Sequence, residues 1–503
     1  MRVLIAFALG AAPLAAQQAS AYIPLDHWTM PYLEHLIATG VVRDPTPLTR
    51  PLREADVVRA LQHADTLTVS STVNATLRRL LAAFPQQQEG PRYRVDGQLG
   101  VAAATYARRD PLAALDSAGP RQAGPKHGYV SGGLALQLTF GPVVAATHPY
   151  LDTRLKYDPD WYGKKDRKIA GRTAESYVSA QWRYGEVFFG RLDRNWGPSI
   201  VQGLLLSDNP YGPDHLGITL GTSRVQLQAI ATQLDDRDSA GVLVHRYMTQ
   251  HRLWIRPSSS WTLAVWDASV LSGADREFEP WYLNILNIGY LEQLNTGTNV
   301  NSFFGLDFER RGHITLFGQL MLDDIQVDRK TALDQKPSSY ALTLGTKGRA
   351  GAGAAWSLFY TRVSNLAYRN ENNLQVPLYH FLGTGRNFDD YDQATLKLGL
   401  LPRAALLIEP ELTLLRQGEG DPRLPHPLVP DYPTTAAFLQ GVVERTVRVA
   451  LSGSYAPVAR FGLRFDGGVH RISNYLHMSG QTRTKFVGSL SIAYRFSTQG
   501  ALP

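Results

Sequence analysis

From residue 93 to the end of the chain, apolar and polar residues take turns. In 446–455, Val447, Val449, Leu451 and Tyr455 alternate with Thr446, Arg448, Ser452 and Ser454. In 461–470, Phe461, Leu463, Phe465 and Val469 alternate with Arg464, Asp466 and His470. The same dyad runs through 404–415 and 176–184. Successive side chains of a strand point to opposite faces, so a period of two predicts sheet with one greasy and one wet face.

Strand and loop lengths narrow the choice between a soluble sandwich and a barrel. Strands are predicted at 93–108, 127–140, 143–157, 172–184, 186–193, 214–221, 224–234, 241–255, 260–268, 298–310, 312–323, 339–346, 353–363, 391–400, 404–416, 439–455, 458–472 and 483–496, eighteen in all. Many reach ten residues, against about 5–6 for ordinary soluble strands. Ten residues tilted by about 40° span roughly 25 Å, the height of a lipid-facing band. Short connections such as Gly141-Pro142, Gly185, Thr222-Ser223 and Ala456-Pro457 alternate with the longer segments 109–126, 158–171, 194–213, 235–240, 269–297, 324–338, 364–390, 417–438 and 473–482. The last strand carries Leu490, Ile492, Tyr494 and Phe496 on one face. The expected fold is therefore an all-β transmembrane barrel of about 18 antiparallel up-and-down strands in the outer membrane, in contact with lipid and lipopolysaccharide. The even count puts both ends of the barrel on the periplasmic side.

Composition agrees. The 503 residues could make about three soluble domains, but barrel length follows strand number. Only 19% of residues are charged, against about 25% in average globular proteins, yet mean hydropathy is −0.20. Strands facing lipid on one side and water on the other produce that combination. The absence of cysteine excludes a disulfide scaffold, Cys-ligated zinc, iron–sulfur clusters and thiol catalysis. A net charge of +7 over this length is too slight for nucleic-acid binding.

The N-terminus reads differently. Arg2, the apolar run Val3 to Leu14 and Ala19-Ser20-Ala21 fit a secretory signal peptide, residues 1–21. Residues 22–90 are expected to form a small periplasmic α-helical bundle. Its three short helices are one capped by Asp26 and stopped by Gly40, one capped by Thr49 and opened by Pro51, and one over 72–84 ended by Pro85. Such a bundle needs something to pack on. Residues 91–503 form the barrel.

Catalytic signals are weak, with no HExxH, no G-x-S-x-G elbow and no phosphate-binding glycine loop. No catalytic residue, metal or cofactor is expected, and the chain is not expected to be an enzyme. The pairs Glu409/Glu411 and Asp307/Glu309 allow an outer-membrane glycan hydrolase as a remote reading, because a two-residue spacing puts both carboxylates on one lumen face. The charges of the polar strand faces are expected to form a salt-bridge lattice. Asp235-Asp236-Arg237-Asp238 and Asp389-Asp390 read as solvated loop acids. Loop 158–171 sets Trp161 and Tyr162 beside Lys164 and Lys165, and aromatic plates next to cations suit sugar rings bearing acidic groups. Loop 269–297 is so apolar that it is expected to fold into the barrel mouth and narrow it.

The segment Phe188-Phe189-Gly190-Arg191-Leu192-Asp193-Arg194-Asn195-Trp196-Gly197-Pro198, followed by Gly203-Leu204-Leu205-Leu206-Ser207-Asp208-Asn209-Pro210, resembles the signature of Wzi-type capsule-assembly outer-membrane proteins. Phe140-Gly141-Pro142, His148-Pro149 and Gly318-Gln319-Leu320-Met321-Leu322-Asp323-Asp324 support the resemblance, as does Leu48-Thr49-Arg50-Pro51-Leu52 in the head. The resemblance implies an 18-stranded barrel with a periplasmic helical bundle. It also implies a non-enzymatic, lectin-like role in retaining capsular or exported polysaccharide at the cell surface. The candidate polysaccharide-binding residues are Trp161, Tyr162, Lys164, Lys165, Arg191, Asp193, Arg194 and Trp196, with Trp196 read as a packing anchor ahead of a sugar platform and Gly197-Pro198 as a loop-shaping turn. A monomer is expected. The charged lumen and Asp26-His27-Trp28 keep a carbohydrate-selective porin as the alternative.

Overall fold

The computed structural model describes residues 18–66, 69–84, 90–113, 124–291, 300–325, 331–332 and 335–502. The n-region and apolar core expected of a signal peptide, and Pro85, lie outside the described residues. Eighteen barrel strands follow one another: β1 (Arg92–Ala104), β2 (His127–Phe140), β3 (Val143–Asp152), β4 (Ala170–Trp182), β5 (Gly185–Arg191), β6 (Asp214–Gly221), β7 (Val225–Gln233), β8 (Val242–Ile255), β9 (Trp261–Gly273), β10 (Val300–Arg310), β11 (Ile314–Asp324), β12 (Ser339–Gly351), β13 (Ala354–Val363), β14 (Tyr391–Arg403), β15 (Leu406–Gln417), β16 (Glu444–Val458), β17 (Phe461–Ser473) and β18 (Thr482–Ala501). All eighteen fall where the alternation predicts them. Each pairs antiparallel with its sequence neighbours, and β1 pairs with β18 from Arg92↔Ala501 to Ala104↔Ser489, which closes the barrel.

The outward faces carry apolar side chains open to the surroundings, among them Leu99, Val101, Val130, Phe189, Val265, Val449, Phe486 and Tyr494. This is a lipid-facing band, and the architecture is that of an outer-membrane barrel. Among the described residues no helix is long and apolar enough to cross a membrane. Inward charges pair across strands: Arg252 with Asp307, Lys347 with Glu309, Lys397 with Glu409, and Arg448 with both Glu411 and Asp466. Each carboxylate of the 409/411 pair thus has its own cation.

The head consists of α1 (Met30–Ala38), α2 (Glu54–Gln62) and α3 (Ser71–Ala83). Its apolar stripes, including Leu33, Leu36, Val57, Leu77 and Leu80, share one core with Leu401, Ala405, Leu407 and Ala456 at the short turns of the wall. Burying each such leucine or valine stabilises by about 1.5–3 kcal/mol, and the wall supplies the surface that three short helices lack. Tyr32 donates to the Ala405 carbonyl at 2.8 Å, and His35 Nε2 lies 3.2 Å from the Gly353 carbonyl oxygen.

The expected caps are displaced. Thr29, not Asp26, precedes α1, and Arg53 precedes α2. Thr49 is drawn away from capping because its backbone pairs with Trp196 of an outer loop. Ser70 caps α3, its hydroxyl accepting from the Val73 amide at 3.3 Å. Ahead of α1, the Ala19 amide donates to the Gly141 carbonyl at 2.7 Å, and Ser20 exchanges two 2.9 Å hydrogen bonds with the Gln181 amide.

Candidate functional site

Two outer loops descend into the barrel and meet the head. In loop 194–213, Asn195 and Trp196 pair with Arg50 and Thr49, and the Gly197 amide donates to the Leu48 carbonyl. Gly197 has φ +129°, and a Cβ there would lie 2.8 Å from the Gln319 side chain, so this turn requires glycine. Gln319, on the wall, donates to the Trp196 carbonyl at 3.0 Å and accepts from the Leu204 amide at 2.7 Å. Loop 364–390 packs on top: Tyr368 donates to the Leu204 carbonyl, the Ser207 amide to the Thr384 carbonyl, and Asn209 to the Gly383 carbonyl. Leu204, Leu205, Met248, Trp266, Phe303, Met321 and Tyr368 form an apolar core inside the lumen. The segments around 188–210 and 318–324, noted in the sequence for their resemblance, are therefore joined in space as a plug.

Trp196 is 5% exposed, with the Arg252 guanidinium 5.1 Å from its ring, so it is a packing anchor of this plug rather than a sugar platform. Arg194 also points inward. Its Nε donates to His215 at 2.7 Å, and its guanidinium lies 4.5 Å from the Phe188 ring.

The remaining candidates gather at the outer face. Trp161 is 7% exposed and packs edge-on against Tyr211, ring centroids 5.1 Å apart. Tyr162, 39% exposed, stacks on His380 with centroids 3.9 Å apart and an interplanar angle of 11°. Three loops, 158–171, 208–214 and 378–383, thus build one aromatic cluster. Cations surround it: the Arg109 and Arg172 guanidinium groups lie 4.3 and 5.1 Å from the Tyr211 ring, and Arg191 pairs with Asp214 at 3.1 Å. Lys164 and Lys165 are exposed beside it, Lys165 reaching the Pro159 carbonyl at 3.2 Å. Asp193 sits beneath, its Oδ1 buried without a partner. Burial pushes its carboxyl up to about 6 against the pull of Arg109 and Arg172.

Sequence reasoning missed the tip of the small hairpin 378–383. His380 and Phe381 both adopt left-handed backbone, φ +48° and +66°. Asn and Gly ordinarily fill such a two-residue turn, and aromatic residues there store strain of order 1–3 kcal/mol each. The turn is held by Asp235, which accepts from the His380 amide at 2.8 Å, and by Arg423, which donates to the Phe381 carbonyl at 2.8 Å. Phe381 is 58% exposed with the Arg237 guanidinium 4.0 Å from its ring. The aromatic run Tyr379-His380-Phe381 in an outer loop was the available signal.

Two loop expectations are corrected. Asp389 and Asp390 are fully buried, not solvated, because loops 364–390 and 417–438 pack together; Asp390 accepts from the Leu439, Gln440 and Gly420 amides. Loop 269–297, where described, does not enter the mouth but lies against the outside of the wall. Tyr282 packs on Tyr247 and Leu271, which share the outward strand faces of Leu253 and Val265, while Leu286 and Ile288 stay exposed and Tyr290 meets the outward Phe304, ring centroids 5.4 Å apart.

No family model and no curated protein matches the chain. Among solved structures, the chain is similar to Wzi of Escherichia coli, with a TM-score of 0.61 and 14% identity over 96% of this chain and all of that one. The fold is that of Wzi. That protein is described as a carbohydrate-binding β-barrel involved in group 1 capsule assembly. OpdK (12% identity, 82% of this chain and 100% of that chain, TM-score 0.46) and OprD (10%, 81% and 96%, 0.45), both of Pseudomonas aeruginosa, are more distant, and these likenesses are too weak to bear on function. The Wzi likeness agrees with the barrel fold implied by the sequence resemblance.

Proposed function

We propose that this protein is a non-enzymatic, lectin-like barrel that holds capsular or other exported polysaccharide at the cell surface. The observation that carries this reading is the aromatic cluster on the outer face, where Tyr162, His380 and Phe381 sit beside Arg109, Arg172, Arg191 and Arg237. Aromatic faces bind the C–H faces of sugars, and guanidinium groups bind their acidic substituents. The strained hairpin tip supports a ligand-facing role, since such strain concentrates at ligand clamps. The likeness of fold to a carbohydrate-binding barrel adds weight. The test is binding of the purified barrel to the host's own surface polysaccharide. Tyr162→Ala and Phe381→Ala should each weaken it at least tenfold with the barrel intact, and a deletion strain should shed polysaccharide while still making it. Unchanged retention in that strain overturns the reading.

A carbohydrate-selective porin is the second reading, favoured by a cavity that follows one arc of the wall. Planar-bilayer recording separates the two: a steady open pore supports the porin, and silence supports the plugged barrel.

A further inference from the structure

The plug fills only part of the lumen. Between the head and the arc formed by β17, β18 and β1–β4 lies a cavity of about 850 Å³. It exists because the inward side chains there are small, among them Gly100, Ala102, Gly133, Ala135, Ser491 and Ala493. It runs from Arg460 and Gln499 at the periplasmic end toward Tyr129 and Arg154 near the outer end. Its volume is that of an ordinary small-molecule pocket, roughly 300–1,000 Å³.

Its charges are unusual for this lumen. Arg246, Arg252, Lys347, Lys397 and Arg448 elsewhere in the lumen are paired, and within the cavity itself Arg94 binds Glu54 at 3.0 Å and Asp96 at 2.8 Å. Arg464 and Arg495 also line the cavity, and neither joins an ion pair among the described residues. Arg495 Nη1 is buried without a hydrogen-bond partner, and its guanidinium lies 5.6 Å from the ring of Trp28 in the head. A half-buried cation without a counter-ion is costly, and two on adjacent strands repel each other. His27 records the resulting field: burial first, then Arg94, Arg464 and Arg495, lower its pKa to about 3. Asp26 and Glu175 face the same space from the other side, without an ion pair to either arginine among the described residues.

We propose that this cavity is a binding site for a sugar acid bearing a single carboxylate. Arg464 and Arg495 take the carboxylate, Trp28 floors the ring, and the serine and glutamine side chains of β1, β2 and β18 meet the hydroxyl groups. The guanidinium fork matches a carboxylate in two parallel hydrogen bonds. Asp26 repels a second negative charge, so a monoanion is preferred to a phosphate dianion. The site is distinct from the outer aromatic cluster and does not depend on it.

Isothermal titration of the purified full-length barrel in detergent with D-glucuronate, D-glucose and inorganic phosphate tests this. Saturable glucuronate binding is expected, at least tenfold tighter than glucose and tighter than phosphate. Arg464→Gln and Arg495→Gln should each weaken it at least tenfold, and Ala493→Trp should abolish it by filling the cavity. Heat-modifiable migration on gels checks that each variant is folded. Where a glutamine variant does not fold, Arg495→Lys replaces it and must still weaken binding, since one ammonium cannot make the paired contact. Absence of saturable glucuronate binding, equal binding of glucose, preference for phosphate, or undiminished binding in folded arginine variants overturns the proposal.

Discussion

The backbone of Trp196 pairs with that of Thr49, so a long loop and the helical head meet inside the barrel. Gln319 fixes the loop side of this junction through Trp196 and Leu204. Gln319→Ala leaves a buried carbonyl and a buried amide unpaired, at a cost of about 1–3 kcal/mol for each. Gly197→Ala adds a Cβ into the Gln319 side chain at positive φ. Both variants should lower the temperature of barrel unfolding on heated gels. In planar bilayers the native protein should be silent, and the variants should show intermittent conductance.

Arg252 and Asp307 form an ion pair at 2.9 Å with both side chains fully buried, and Arg252 also donates to the Leu48 carbonyl and the Thr49 hydroxyl. Removing one partner of such a pair costs about 3–5 kcal/mol, because the other charge stays buried. Asp307→Asn should therefore destabilise strongly. Arg252→Met combined with Asp307→Leu should destabilise less than the two single costs added together, which a double-mutant cycle of thermal unfolding measures.

Acid should loosen the head. Burial above all lowers the pKa of His27 to about 3 and of His35 to about 4. The folded head keeps both rings neutral, whereas the unfolded head protonates them near 6.5. Their contribution is fully present above pH 6.5 and declines as pH falls toward the folded values. At pH 4.5 the loss is of order 2 kcal/mol per ring. Limited proteolysis of α1–α3 should be faster at pH 4.5 than at pH 7.5, and His35→Gln should flatten that dependence.

Ala19 and Ala21 are buried on the barrel wall, and the Ser20 hydroxyl accepts from the Ala55 amide at 2.9 Å. Cleavage after Ala21 would discard these contacts, whereas cleavage after the small residues Ala15 or Ala16 would keep them. Intact mass of the purified protein is expected to place the N-terminus before Ala19. A mass starting at Tyr22 would refute this.

Strand positions, their number and the direction of their faces were legible because a half-buried strand writes its period into the sequence. Trp161 and Tyr162 were legible as a local aromatic–cationic run. Their partners Tyr211 and His380 were not, since loops far apart in the chain come together only on the closed barrel. Thr49 looks like a helix cap until Trp196 claims its backbone. Asp389 and Asp390 look solvated until a second loop covers them. In each case a contact between distant segments overrode a sound local reading.

The seam between Arg92 and Ala501 joins the first barrel strand to the last. That closure brings together the most distant paired residues of the wall, so it carries the largest loop-closure entropy and comes slowly. Until β18 is in place the wall is an open curved sheet, and the head, made first, can settle on Leu401 and Leu407 from the side. Once the seam zips, the plug has no lateral way out. Closure of this one seam thus fixes what the finished barrel contains.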